Sequence, residues 1–256
     1  VYIIGDVHAN SFVVNNVAQN NGVGFVFVDI YGTVSGNLAE RNPLGGFDFF
    51  NVEAGGVVSG NVARDNGLAG FLFEDVAGTF SGNTASGNHV GFDFIDVLAG
   101  GVFSGNTATR NIEGFFFEDV AGTFSGNTAS YNLDDGFNFF NVETGGVFSG
   151  NTASYNDGNG YYLENVHGLF AGNTATGNKD DGFEFLDVAL GGTFTGNTST
   201  ANGDDGFDFL LITVGGTFSD NVANDNLDLG YDGAHLGGTV HNNTGSGNAN
   251  GHNSFP

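Results

Sequence analysis

The stretch EDVAGTFSGNTAS occupies residues 74–86 and returns, letter for letter, at 118–130. Repetition is the first property to test in a sequence, because a fixed period of about 20–50 residues identifies a stacked architecture. Within the stretch lies a shorter unit. The pattern Asn-x-x-x-x-Asn recurs eleven times, its first members running from Asn16 to Asn243 at spacings of 21 to 24 residues. Shortly after each second Asn comes Gly and then, nearly always, an aromatic residue, such as Phe71, Phe92, Phe115, Phe137 or Tyr161.

Each unit continues as Phe-x-Phe-x-x-Val, as in GFEFLDV at 182–188. Alternation with period two is a strand signal. A second segment, TFSGN, adds one more Phe per unit, for example Phe80, Phe124 and Phe218. No helical period survives, and only two Pro occur. One coil per unit, with short strands joined by turn residues, predicts a parallel β-solenoid in which each alignment column becomes a ladder of like side chains. Aromatic columns are expected inside. The Asn columns are expected at turns, as residues that tolerate left-handed backbone and whose amides bond to the next coil.

These residues resemble a known family. FSGNTASGN followed by GFDF, at 80–88 and 91–94, is similar to the right-handed parallel β-helix repeat of pectate-lyase-like proteins, Asn ladder included. The resemblance spans essentially the whole chain. It implies an all-β, right-handed parallel β-helix of about eleven coils of 21–24 residues, forming a single domain over 1–256 without obvious caps. It does not select an activity, since that fold hosts lyases, hydrolases, adhesins and structural proteins.

Composition narrows the partners. With 29 acidic residues against 4 basic ones, the net charge is −25. Phosphate recognition needs clustered Lys and Arg, so nucleic acid is excluded as a partner, and an anionic membrane surface is disfavoured. No apolar run reaches the ~18 residues of a membrane helix, so no membrane insertion is expected. There is no Cys for a disulfide or thiolate site. The chain opens at Val1 without Met, which is read as a processed, secreted or cell-surface product or a fragment of one.

A second period lies over the first. The connection after the unit Val alternates in length, and the longer ones carry Gly-Gly, as in VEAGGVVSGN at 52–61. Outward residues of the Phe-x-Phe strand alternate in step. An apolar stripe of Phe50, Leu72, Ile95, Phe116, Phe140, Tyr162, Leu186 and Leu210 therefore zigzags down one face, with acids beside it. A contiguous apolar stripe marks an interface. At the first coil, Tyr2 and Ile4 point inward and would meet the last coil of another copy, a heterologous contact of the kind that builds filaments.

The acids suggest one further site. KDDGFEF at 179–185 and GDDGFDF at 203–209 place Asp180 and Asp181 over Asp204 and Asp205. Like charges one strand spacing apart repel unless a cation bridges them or some are protonated; an all-oxygen set suits Ca²⁺, and a plain solvated acidic surface is the alternative. For catalysis the available bases, Arg41, Arg64, Arg110 and Lys179, do not assemble beside paired carboxylates. The six His fall in unrelated columns and are expected at the surface or in turns. Rows such as Thr84/Thr107/Thr128 resemble the flat face of ice-binding proteins, though they are also common turn text. The leading expectation is an extracellular structural protein, not an enzyme, whose copies associate head to tail or laterally. The alternatives are an adhesin or carbohydrate-binding module, a polysaccharide lyase or hydrolase, and an ice-binding protein.

Overall fold

The structure, a computed structural model, describes residues 2–186, 191–212, 215–235 and 238–251, without the side chains of 2–4, 210–212, 234 and 235. Among the described residues there is no helix. Three parallel sheets of eleven strands each wind into a right-handed β-helix, every third strand in sequence pairing in one sheet. The fourth coil is representative. Ala69–Val76 lies in the first sheet, Thr79–Ser81 in the second and Thr84–Ser86 in the third.

Like residues pair because the register has no slack. Phe71 faces Phe47 on one side and Phe92 on the other. A slip of one residue would turn every Phe to the solvent, so burial of the aromatic face fixes the alignment. The rings stack along the axis: Phe71 and Phe92 have centroids 4.8 Å apart with planes 4° from parallel. The second sheet repeats the stack, Phe80 to Phe103 at 4.5 Å, and meets the first edge-on, Phe73 to Phe80 at 75°. Each buried ring contributes about 2–3 kcal/mol from apolar area alone. The third sheet turns small residues inward, Ala85, Ala108 and Ala129 among them and Ser199 further along. Small residues are required there: a Cβ on Gly114 would lie 2.3 Å from the Gly136 carbonyl oxygen and 3.1 Å from the Ala129 Cβ.

The two Asn columns are buried, and their position corrects the sequence-based expectation. None of the ladder Asn residues from Asn37 to Asn226 has left-handed backbone; the residue before each one does. Gly126, before Asn127, has φ 62°, and Tyr131, before Asn132, has φ 57°. The left-handed residue turns the chain so that the following Asn points inward. There it meets the expected partner, the Asn one coil on. Asn61 Nδ2 donates to Asn83 Oδ1 at 3.1 Å and to the Val34 carbonyl at 3.0 Å. The longer connections of the two-coil period are turns closed by bonds such as Gly56 N–H to the Glu53 carbonyl, 2.8 Å, with Gly55 at φ 100°.

Candidate functional site

The outer face of the first sheet carries the features singled out in the sequence. Strand pairing puts Leu72 between Asp48 and Asp93, and Glu74 between Phe50 and Ile95. Phe116 pairs with Asp93 and Asn138, and Tyr162 with Asn138 and Glu184. The geometric zigzag is therefore present, with Val26 and Val28 extending it upward. Its members from Phe50 to Leu186 are half-buried, except Phe140, which is exposed. The side chains of Tyr2, Ile4 and Leu210 lie outside the described residues.

Lower on the same face, acids replace apolar residues. Glu184, Asp208 and Asp232 pair consecutively. Beside them a turn column forms its own ladder: Asp135 Oδ1 accepts the Asn159 N–H at 2.7 Å, Asn159 Oδ1 that of Asp181, Asp181 Oδ1 that of Asp205, and Asp205 Oδ1 that of Leu229. Each carboxyl thus replaces the amide of an Asn ladder. The ladder brings Asp181, Asp204 and Asp205 together with oxygens within 4.8 Å, and Asp205 with Asp208 and Asp232 in the same way. Asp180 stacks on Asp204 through the backbone, Asp204 N–H to the Asp180 carbonyl at 3.2 Å, but it is not a member of either trio. Asp208 and Asp232 are the residues the sequence reading left out of its metal set.

Burial dominates the electrostatics of this column. It pushes the Asp181 carboxyl up to about 8, against the pull of the Asp205 N–H, with the charges of Asp205, Asp208 and Asp204 adding to the rise. Burial likewise raises Asp135 to about 7 and Asp205 to about 6. A hard cation would relieve this by replacing the missing solvation.

Three features escaped the sequence reading. Leu44 and Leu68, and beyond His89 also Ile112 and Leu133, form an exposed, largely apolar row at the corner leading into the first sheet, while Leu227 stands apart after Asp157, Lys179 and Gly203. On the adjacent turn, Tyr131 and Tyr155 stack at 5.3 Å although each is about half exposed. Arg110 occupies the same turn column one coil earlier, its N–H bonded to the Ser130 carbonyl. Finally, Glu40 is buried beneath two guanidiniums, Arg64 Nε and an Arg41 terminal nitrogen, each 2.9 Å from its Oε1. The Arg64 hydrogen bond leads in holding its carboxyl below the usual range. Among the described residues His8, His89 and His241 are exposed, and His167 is half-buried. The Thr84, Thr107 and Thr128 row is in register on the outside of the third sheet.

A family model described as periplasmic copper-binding protein (NosD) matches residues 3–119 and 79–253. Among solved structures, the A-module of mannuronan C-5 epimerase AlgE4 from Azotobacter vinelandii aligns over 99% of this chain and 79% of its own. The identity is 14% and the TM-score 0.51, a likeness of fold. The A-module of AlgE6 from the same organism covers 100% of this chain and 86% of its own, at 15% identity and a TM-score of 0.45. No curated protein matches the chain.

Proposed function

The chain belongs to the NosD family of parallel β-helix proteins, and from that premise we propose an extracellular structural solenoid whose copies associate side by side with divalent cations between them. The observation that carries this reading is the outer face of the first sheet. On it, mostly half-buried apolar side chains alternate in register with carboxyls, with Asn138 in place of a carboxyl at one coil, and the face passes into the acidic trios around Asp205. Large apolar groups in a contiguous stripe favour contact with another surface. Carboxyls beside them oppose that contact until their charge is neutralised. End-to-end addition of coils is the second route by which the same repeat would lengthen into filaments.

The cation we propose is Ca²⁺. The family is described by its copper binding, but the residues here fit copper poorly. The sequence has neither Cys nor Met, and the groups of possible ligands among the described residues hold carboxylates without His. Oxygen-only sets suit calcium or magnesium. No helix among the described residues is long and apolar enough to cross a membrane.

Sedimentation velocity and negative-stain microscopy with calcium and with a chelator test the reading. Assemblies with calcium that dissolve on chelation, and that Phe116→Ser with Tyr162→Ser prevents, are expected. A monomer at all calcium concentrations sinks it. Carbohydrate binding is the second reading, favoured by the exposed Tyr131–Tyr155 pair next to Arg110 on a fold shared with a module named for mannuronan. Retention of polyuronates that is lost in Arg110→Ala would support it. We assign no reaction, and expect no turnover of such polymers.

A further inference from the structure

A groove of about 350 Å³ crosses four successive coils between the first sheet and the corner row. Leu44, Leu68 and Leu72 supply most of its apolar wall, and Asp48 and Asp93 its two carboxyls. Leu72 pairs with Asp48 on one side and with Asp93 on the other. The carboxyls are therefore two strand spacings apart, roughly 10 Å, with Leu72 between them. Asp48 Oδ1 lies over Gly45, where a Cβ would stand only 3.3 Å away.

Neither carboxyl has a hydrogen-bond or ion-pair partner among the described residues. Both are half-buried in the groove wall, so each carboxyl has lost part of its hydration and stands open to a cation. Burial raises both to about 6, and Asp93 also feels Glu118. Among the residues that line the groove, His89 at the rim is the one base. A single metal ion would be too small to satisfy both groups at this separation. An anion is excluded by the charge, and a neutral ligand would leave the charge uncompensated.

We infer that the groove binds an aliphatic di- or oligoamine, its methylene chain lying across Leu44, Leu68 and Leu72 and an ammonium seated on each of Asp48 and Asp93. A chain of about four to six methylenes spans the gap once an N–H···O contact is allowed at each end. Charge-assisted hydrogen bonds fix the two ends, and the alkyl segment covers leucine surface. The site needs only one copy of the chain, but Leu72, Asp48 and Asp93 also belong to the face on which association is proposed, so binding is read at a protein concentration where the chain sediments as a monomer.

Isothermal titration of the full chain at fixed physiological salt tests it, with putrescine, spermidine, butylamine and 1,4-butanediol as ligands. The diamine and spermidine are expected to bind one to one, with the monoamine weaker and the diol silent. Asp48→Asn and Asp93→Asn preserve shape, and each is expected to weaken the diamine roughly tenfold or more. Glu143→Gln, which removes an exposed acid on a turn outside the groove, is expected to leave the affinity unchanged. Undiminished binding to the double variant would overturn the inference, reducing it to condensation of cations on a strongly acidic surface. So would equal loss in Glu143→Gln, or a diol as tight as the diamine.

Discussion

Asn127 gives two hydrogen bonds to one atom: its Nδ2 donates to Asn151 Oδ1 at 3.0 Å and its backbone N–H donates to the same oxygen at 2.9 Å. Asn151 Nδ2 in turn reaches the Phe124 carbonyl at 3.1 Å. One side chain therefore satisfies the turns of two coils. Asn151→Ala leaves two buried donors and a buried carbonyl without that partner, at about 1–3 kcal/mol for each group left unmet. A loss of about 3 kcal/mol or more is expected in urea unfolding. Asn16→Ala, at an exposed rung whose Oδ1 accepts nothing in the ladder, is expected to lose less than about 1 kcal/mol.

Two glycines separate backbone strain from steric exclusion. Gly126 has φ 62° and open space where a Cβ would go. Gly126→Ala should therefore lose only the left-handed penalty of about 1–2 kcal/mol. At Gly114, where a Cβ would stand 2.3 Å from a main-chain oxygen, the coils themselves must move apart. Gly114→Ala is expected to lose more than about 3 kcal/mol or to fail to fold, as overpacking against backbone has no side chain to displace. Unfolding midpoints in one denaturant compare the two directly. Equal losses would show that the Gly114 approach is not tight.

The columns were legible because a ladder places like residues one strand spacing apart, so the Phe71, Phe92 and Phe115 stack follows from the period alone. The left-handed position was not. Gly126, Tyr131, Arg110 and Ala201 all adopt it, and residues with no common chemistry leave no column to read. The ladder Asn beside it is invariant for another reason, its inward hydrogen bonds. The corner row was hidden by turn length. Leu44 and Leu68 stand two residues after their Asn, whereas Ile112 and Leu133 stand one after, so fixed spacing from the Asn never aligns them. The groove between Leu44 and Asp48 exists only after that turn folds over the sheet. The acid pairs were visible as text, but Asp208 and Asp232 join Asp205 through a sheet-to-turn contact that periodicity within one column does not reveal.

The acid ladder makes stability fall as pH rises. Asp135, Asp181 and Asp205 are raised in the folded chain to about 7, 8 and 6, above the ordinary carboxylate value near 4. Between about pH 4 and pH 8 the folded state thus holds protons that the unfolded state has released, and the stability they provide is lost across that window. Raising a carboxyl tenfold in proton affinity is worth about 1.4 kcal/mol, less where solvent screens the charge, so the ladder loses a few kcal/mol in all. Thermal unfolding is expected at higher temperature at pH 5 than at pH 8. Asp181→Asn retains an oxygen for the Asp205 N–H and removes the most displaced proton, so it should flatten the pH slope and stabilise the chain at pH 8. An unchanged slope would show that the ladder does not titrate in this window.

Tyr155 tests two opposing effects at one residue. It stacks on Tyr131 at 5.3 Å, yet its backbone is left-handed, φ 56°. An aromatic pair is worth about 0.5–1.5 kcal/mol, and a left-handed non-glycine residue carries a penalty of about 1–2 kcal/mol. Tyr155→Ala removes the ring and keeps the penalty, so a loss of about 1 kcal/mol is expected. Tyr155→Gly removes both and should come out near neutral, because the two effects offset each other. Glycine is therefore expected to exceed alanine in stability here, the reverse of their order in ordinary helices and strands. The same order should hold at Tyr131, whose φ of 57° is nearly identical. Denaturant midpoints for the four variants decide the matter: alanine above glycine at both positions would mean that the turn relaxes out of the left-handed region once the rings are gone.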